Sequence, residues 1–111
     1  MSTYINKIEL LTGITQYTYW DDRFDVPLGI IWVRIYFGQS KKKIAICLNA
    51  MTAHYYKRKG VCTELFKALL NEADILLSAS GSTDGGILFL KRFGFKYNKL
   101  LDIWCYTKRG E

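Results

Sequence analysis

The sequence predicts an α/β or α+β fold in which a mixed sheet of about five to six strands is flanked by helices. Segments rich in β-branched and aromatic residues recur along the chain, and two segments have the apolar spacing of helices. One of these helices falls between two strands, which indicates a parallel crossover. With 111 residues, 50% of them hydrophobic, residues 1–111 are expected to form one domain with one core.

The N-terminal part predicts strands interrupted by loops. Residues 5–11 favour a strand that Gly13 ends, and residues 14–20 favour a second strand, with a short helix as the alternative. Pro27 is the clearest break before the central sheet. We expect the acidic cluster between them to lie in a loop, where it could attract an amine: Asp21, Asp22 and Asp25.

The central part predicts a hairpin followed by a helix. Residues 28–37 form a strongly strand-like segment, residues 38–40 favour a turn, and residues 43–51 return as the next strand. A helix over residues 61–73 follows. Its apolar face is expected to consist of Val61, Leu65, Leu69 and Ala73.

The C-terminal part predicts a strand, a helix and a closing strand. Residues 75–79 favour a short buried strand, residues 80–86 a loop with helix-capping residues, and residues 87–93 a short helix. Gly94 fits the left-handed C-terminal cap of that helix. We expect residues 100–106 to form the closing strand, and an exposed edge over residues 104–106 could pair across a homodimer.

Charge and cysteine usage narrow the class of protein. The formal net charge of +6 favours an anionic partner, although a role in solubility is the simpler alternative. Cys47, Cys62 and Cys105 lack the spacing of a metal site or a disulfide framework. The sequence has neither the pattern of a signal peptide nor an apolar run long enough for a membrane span. We therefore expect a reduced cytoplasmic protein.

The basic loop before the first helix is the clearest candidate binding site. A strand, a loop with one glycine and a helix N-terminus follow one another, which is an arrangement that binds a pyrophosphate. Unpaired N–H groups at the helix start are joined there by the charges of Lys57, Arg58 and Lys59. The alternative is an exposed basic turn before an ordinary helix.

This order of elements and motifs resembles the GNAT superfamily of N-acetyltransferases over about residues 28–106. The family signature Gln/Arg-x-x-Gly-x-Gly/Ala corresponds to residues 57–62, Lys-Arg-Lys-Gly-Val-Cys. A second family pattern, ending in Gly-Phe, corresponds to Thr83, Gly86, residues 89–90 and residues 94–95.

The resemblance implies acetyl-CoA as the acyl donor, bound where two neighbouring parallel strands splay apart. The strand before the loop would contact the pantetheine arm and the loop the pyrophosphate, with Gly60 allowing close approach. An amine of a small molecule or protein would attack the thioester directly. The implied cofactor-binding residues are Ala50, Met51, Thr52, Lys57, Arg58, Lys59, Gly60, Val61, Cys62, Thr63 and Thr83.

Several positions depart from the family pattern. Lys57 stands at a Gln or Arg position, Cys62 replaces a small residue, and Leu90 occupies the place of a tyrosine general acid. Ser78 lies near the position of a carboxylate base. Only 27 residues precede Leu28, which leaves no room for the two helices that usually shape the acceptor side. The catalytic residues therefore stay unassigned.

Other side chains have alternative roles. His54 and Asp84 could act as bases, although a surface position and a helix cap are the simpler interpretations. An aromatic set could line a pocket but more often fills a core: Tyr17, Tyr19, Trp20, Trp32, Tyr36 and Trp104.

Two other functions stay open. One is a CoA-binding regulatory module without catalysis. The other is a nucleic-acid-binding domain that uses Tyr55 and Tyr56 beside the basic loop.

Overall fold

The computed structural model of the chain describes residues 2–11, 13–39, 41–52, 60–79 and 84–108. The elements in chain order are β1 (Thr3–Glu9), β2 (Ile14–Asp21), β3 (Gly29–Phe37), β4 (Lys43–Thr52), α1 (Val61–Leu69), β5 (Ile75–Ala79), α2 (Asp84–Phe93), β6 (Lys96–Asn98) and β7 (Ile103–Thr107).

The strands form one mixed sheet in the order β1-β2-β3-β4-β5-β7-β6, which confirms the predicted fold class. The sheet has seven strands rather than five to six because β6 escaped prediction. That strand has three residues, all exposed, so it is too short to leave a pattern in the sequence.

The N-terminal segment is a β-hairpin. Strands β1 and β2 pair antiparallel from Thr3↔Asp21 to Glu9↔Thr15, so the strand interpretation of residues 14–20 is confirmed and the helix alternative is wrong. Gly13 lies in the connecting turn with φ of 80°. The turn is closed by the N–H of Leu10, which donates to the carbonyl of Ile14 at 2.9 Å. The chain thus passes from β1 to β2 without a helix between them.

Asp21 corrects the prediction of an acidic loop. It is the last residue of β2 and is only 4% exposed. The guanidinium of Arg23 donates to both carboxylate oxygens, at 3.0 and 2.7 Å. These charge-assisted bonds stabilise the buried carboxylate. Asp22 and Asp25 are exposed, as expected of loop residues.

The central sheet has the predicted connections. Strands β3 and β4 form an antiparallel hairpin. Helix α1 then carries the chain to β5, which pairs parallel with β4 from Ile44↔Ile75 to Cys47↔Ser78. The predicted parallel crossover is therefore confirmed.

The helix bounds differ from the sequence expectations at two of four ends. Helix α1 ends at Leu69 rather than at residue 73, and residues 70–72 form a turn. Helix α2 begins at Asp84 rather than at residue 87, so residues 84–86 belong to the helix and not to the predicted loop. It ends at Phe93 as predicted. The cap at Gly94 is confirmed: its φ is 117°, and the N–H of Phe95 donates to the carbonyl of Leu90 at 2.9 Å.

Both helices pack on the same face of the sheet. Phe66 of α1 makes edge-to-face contacts with Phe89 and Phe93 of α2, at centroid distances of 5.3 and 5.6 Å. Beneath them, Ile31 and Val33 of β3 are 0% exposed. The core therefore lies between this helical layer and one side of the sheet.

The predicted edge at residues 104–106 is wrong. Strand β7 lies between β5 and β6, and β6 pairs with Trp104 and Cys105. A dimer formed through this strand as a free edge therefore lacks its structural basis. Among the described residues, no helix has both the length and the apolarity to cross a bilayer.

Candidate functional site

A cleft forms where β4 and β5 separate. Their ladder ends at Cys47↔Ser78. Beyond that point β4 continues to Thr52 against β3, while Ala79 of β5 pairs with β7. The ladder between the two parallel strands therefore ends before β4 does, and beyond Cys47 no described strand pairs with β4 on the side of β5.

A bulge marks the start of the separation. Asn49 pairs with Trp32 and Cys47 pairs with Val33, so Leu48 is one extra residue in β4. The residues from Leu48 to Met51 are all exposed, although β4 is the fourth of seven strands. Four consecutive exposed residues are unusual in the middle of a sheet, because neighbouring elements normally cover it.

The first turn of α1 lies beside this cleft. Gly60 is the N-cap residue and has left-handed φ and ψ of 82° and 6°. No side chain among the described residues caps the helix start. The N–H of Glu64 donates to the carbonyl of Gly60 at 3.0 Å. Because the first N–H groups of an α-helix point out of its end, this helix start has the geometry that favours an anion.

Gly29 brings α1 and the end of β4 together. A Cβ atom placed on Gly29 would lie 2.4 Å from Cγ1 of Val61 and 3.5 Å from the backbone oxygen of Met51. The first residue of α1 and the exposed end of β4 therefore contact the same point of β3. The strand predicted to contact pantetheine and the helix start predicted to bind phosphate are neighbours in the structure.

The structure brings together the described members of the predicted site. Ala50 and Met51 lie on the exposed end of β4, and Thr52 is its last residue. Gly60 precedes α1, whose first three residues are Val61, Cys62 and Thr63.

The remaining predicted site residues lie outside the described residues. They are Lys57, Arg58, Lys59 and Thr83, together with His54, Tyr55 and Tyr56. The basic part of the phosphate site, the histidine base and the nucleic-acid alternative therefore stay predictions.

Two residues next to the bulge, Cys47 and Asn49, make hydrogen bonds across it. The Cys47 thiol donates to the carbonyl of Asn49 at 3.5 Å, and Oδ1 of Asn49 accepts from the N–H of Ala50 at 2.8 Å. Burial, with a smaller contribution from nearby Cys62, raises the pKa of the Cys47 thiol to about 12. This thiol is therefore protonated at neutral pH and is a poor nucleophile there.

The cleft lacks the proton-transfer groups named by the family pattern. Leu90 is 5% exposed and belongs to the core under the helices. Ser78 pairs with Cys47 and Trp104 within the sheet. Asp84 begins α2 and is exposed. Within the described ranges, no group of three His, Cys, Asp or Glu side chains has the geometry to bind a metal.

The predicted aromatic set is divided between the two faces of the sheet. Tyr17 and Trp104 are buried in the core, and Tyr19 packs against it. By register, Trp20, Trp32 and Tyr36 alternate with the residues of the helical face. The set therefore does not form a single substrate pocket. The interpretation that these residues fill the core is confirmed only for Tyr17, Tyr19 and Trp104.

Sequence reasoning missed two residues of the cleft, Gly29 and Asn49. Gly29 lies near the start of the strand predicted over residues 28–37 and was not singled out. A glycine at a sheet position can signal the close approach of another element, so its signal was available. Asn49 is a polar residue within an otherwise apolar strand, which was a usable signal for the exposed half of β4.

Sequence comparisons find no relative: no family model matches the chain, and no curated protein matches it. Comparison with solved structures does find similar folds. Arabidopsis thaliana NAA60 in complex with a bisubstrate analogue has a TM-score of 0.74 at 10% identity, with 89% of this chain and 78% of that chain covered.

Two further structures extend the similarity. The aminoglycoside antibiotic 6'-N-acetyltransferase AAC(6')-Ih from Acinetobacter baumannii has a TM-score of 0.67 at 12% identity, covering 88% of this chain and 93% of that chain. Arabidopsis thaliana Naa50 in complex with the bisubstrate analogue CoA-Ac-MVNAL has a TM-score of 0.63 at 15% identity, covering 81% and 69% respectively. The separated parallel strands, the bulge and these similarities agree, and the chain has the fold of the GNAT N-acetyltransferases.

Proposed function

We propose that the protein is an acetyl-CoA-dependent N-acetyltransferase that moves an acetyl group to an amine of a small molecule or protein. The observation that carries this proposal is the exposed end of β4, from Leu48 to Met51, next to the left-handed glycine that precedes α1. Two of the similar structures are Arabidopsis thaliana proteins in complex with bisubstrate analogues. The analogue in the Naa50 structure, CoA-Ac-MVNAL, contains CoA.

The cleft offers suitable partners for each part of CoA. The backbone of Ala50, Met51 and Thr52 would take the pantetheine arm, whose amides need hydrogen-bonding groups of an unpaired strand. The N–H groups of residues 60–63 would take the pyrophosphate, because helix N-termini favour anions. Lys57, Arg58 and Lys59 would add charge, and Thr83 would complete the proposed set.

In the proposal, the side chain of Asn49 competes with acetyl-CoA for one of these donors, the N–H of Ala50. Its Oδ1 already accepts from the N–H of Ala50. Acetyl-CoA would compete with this side chain for the amide, so Asn49 must rotate or share the donor when the ligand binds. Gly60 supports the same arrangement, because a Cβ added there meets no atom of the described residues within 4 Å. That open space beside the helix start is where a phosphate would approach.

The proposed reaction is a direct acyl transfer. The amine nitrogen of the acceptor forms a bond to the thioester carbonyl carbon, and the carbon–sulfur bond breaks with its electron pair on sulfur. The amine proton leaves to solvent, and CoA departs as its thiolate, which takes a proton from solvent to become the thiol. The cleft would contribute by alignment of the two reactants and by backbone N–H groups directed at the developing oxyanion.

A second candidate, a CoA-binding module without catalysis, is favoured by the burial of Leu90. This residue occupies the position of the expected tyrosine and is 5% exposed, so it supplies no proton donor. General acid catalysis typically contributes about 10²- to 10⁴-fold, and its absence would slow transfer without weakening cofactor binding.

Thermal unfolding with acetyl-CoA tests the binding claim. At about 100 Kd, a ligand stabilises the folded state by about 2.7 kcal/mol, which raises the Tm of a domain of this size by roughly 10–20 °C. Desulfo-CoA, which retains the pyrophosphate, should produce a similar rise, and adenosine should not. A folded protein whose Tm is unchanged at saturating acetyl-CoA would contradict the proposal.

Mass spectrometry of acceptor mixtures separates the two candidates. Peptides, polyamines and aminoglycosides are incubated with acetyl-CoA labelled with ¹³C in the acetyl group. Enzyme-dependent label on any amine supports transferase activity. A clear rise in Tm without labelled product would instead favour the non-catalytic module.

A further inference from the structure

The face of the sheet opposite to α1 and α2, called the helix-free face, is unusually apolar. Its strand positions follow from the register, in which Tyr36 pairs with Ile44 and Ile44 with Ile75. The central apolar residues of this face lie on β3, β4 and β5 and are Ile30, Trp32, Ile44, Ile46, Ile75 and Leu77.

Burial differs sharply between the two faces. Beneath the helices, Ile31 and Val33 are 0% exposed and Leu76 is 1% exposed. Their neighbours along the same strands, such as Trp32 and Leu77, are only half-buried. Within the part of the chain that the structure describes, helices thus cover the sheet on one side only.

The sequence of these strands is typical of a sheet covered on both sides. Residues 30–33 and 75–77 are continuous apolar runs, whereas a sheet with one wet face normally shows alternating apolar and polar residues. Leaving such a surface in water forgoes about 25 cal/mol for each Å² of apolar area. The composition of the strands therefore indicates that a partner covers the helix-free face.

The polar groups of this face are already paired within it. Nε1 of Trp32 donates to Oε1 of Gln16 at 3.1 Å, and Nε1 of Trp20 donates to Oγ1 of Thr18 at 2.8 Å. Burial of these groups would cost little, because each indole donor keeps its hydrogen bond. The face can therefore lose its water without leaving these donors unsatisfied.

Charge is nearly absent from the middle of this face. Among the described positions of β2, β3, β4, β5 and β7, Arg34 is the one charged residue on it, and Lys96 lies on the same face in the outer strand β6. The guanidinium of Arg34 lies near the β1–β2 turn, with Nη1 3.6 Å from the point where Gly13 would carry a Cβ. The centre of the helix-free face is therefore apolar, and it carries no charges that a partner would have to complement.

We propose that the helix-free face is the interface of a homodimer in which two sheets pack face to face. Five strands spaced about 4.8 Å apart and about 25 Å long present roughly 600 Å² of flat area, to which side-chain relief adds. This approaches the ~800 Å² per partner of a stable interface. A flat, uncharged, apolar surface complements itself, and two sheets pack in this way about 10 Å apart.

Sedimentation equilibrium over about 1–100 μM tests the proposal. The mass should approach twice the 12.9 kDa of the chain, and Tm should rise with protein concentration. Ile46→Lys places a charge at the centre of the interface and should yield a folded monomer. Leu88→Lys is the matched control, because Leu88 is 46% exposed on α2, and it should remain dimeric.

Tryptophan quenching tests the proposed interface without a substitution within it. In Trp104→Phe, the remaining indoles are Trp20 and Trp32, both on the helix-free face. Acrylamide should quench them several-fold less in the dimer than after dilution to monomer. A folded wild-type protein that stays monomeric at 100 μM would overturn the proposal, as would a dimer that Ile46→Lys leaves intact.

Discussion

Gly29 and Val61 are in contact so close that a single added carbon at residue 29 would approach Cγ1 of Val61 to 2.4 Å. This approach seats the first turn of α1 against β3, next to the exposed end of β4. In the proposed function, the first turn of α1 and the exposed end of β4 form the two halves of the CoA site. Gly29 belongs to neither half, but it sets the distance between them.

Gly29→Ala tests this relationship. The added methyl group must displace α1 or force Val61 and Leu65 into new rotamers, and overpacking of this kind typically costs about 1–3 kcal/mol. We expect a lower free energy of unfolding and at least a several-fold weaker affinity for acetyl-CoA, measured by calorimetry. The double variant Gly29→Ala/Val61→Ala makes room for the methyl group and should recover affinity. Wild-type affinity in the single variant would contradict the role assigned to Gly29.

Gly60→Ala separates backbone strain from ligand approach. A φ of 82° costs an alanine roughly 1–2 kcal/mol, although the methyl group meets no protein atom. Gly94→Ala is the matched control, because Gly94 also has positive φ, 117°, and caps the other helix. Both variants should lower the free energy of unfolding, but only Gly60→Ala should weaken acetyl-CoA binding beyond the effect of stability. Equal affinities in the two variants would argue against phosphate approach at Gly60.

Alkaline pH should destabilise the fold through two buried groups. Burial raises the pKa of Cys47 from 9.0 to about 12 and that of Tyr17 from 10.0 to about 12, Glu72 adding to the latter. A raised pKa means that stability is complete below the unfolded value and falls as pH rises through the folded value. The free energy of unfolding should therefore decline between about pH 9 and 12.

The variant Cys47→Ser identifies the contribution of the thiol. Urea unfolding at several pH values should show a shallower decline from pH 9 in this variant, because the serine hydroxyl does not ionise there. Cys105→Ser, in β7 of the same sheet, controls for the effect of a cysteine-to-serine substitution itself. An unchanged slope in Cys47→Ser would refute the assignment.

Acid should weaken the turn after β2. Hydrogen bonds from the side chain and then the backbone of Arg23 lower the pKa of Asp21 from 3.8 to about 2. A lowered pKa gives stability that is present above the unfolded value and is lost as pH falls through the folded value. Between pH 4 and 2, wild-type stability should fall more steeply than that of Asp21→Asn, as followed by circular dichroism. The exposed Asp22 provides the comparison variant, Asp22→Asn, which should retain the wild-type slope.

Sequence reasoning recovered the central elements because their signals are local. Residues 28–37 and 75–79 are dense in β-branched or aliphatic residues, and Gly94 has the chemistry of a helix cap. It failed at β6, because a strand of three exposed residues, Lys96–Asn98, leaves no apolar pattern in the sequence. It also placed Asp21 in a loop, because the bidentate contact that permits burial depends on the conformation of Arg23.

The candidate site was predictable only in part for the same reason. The glycine and the helix after it leave a sequence pattern, but the end of the β4–β5 ladder at Cys47↔Ser78 is a long-range property. The packing of Gly29 under Val61 and the hydrogen bond between Asn49 and Ala50 likewise depend on the assembled sheet.

The most direct test of the central claim is an amide NMR titration of the ¹⁵N-labelled protein with acetyl-CoA. Our account predicts that the largest chemical-shift changes fall on residues 48–52 and 60–64, while amides of the β1–β2 hairpin change little. If the shifts concentrate on the hairpin, or if no amide responds at millimolar acetyl-CoA, the cleft between β4 and β5 is not a CoA site.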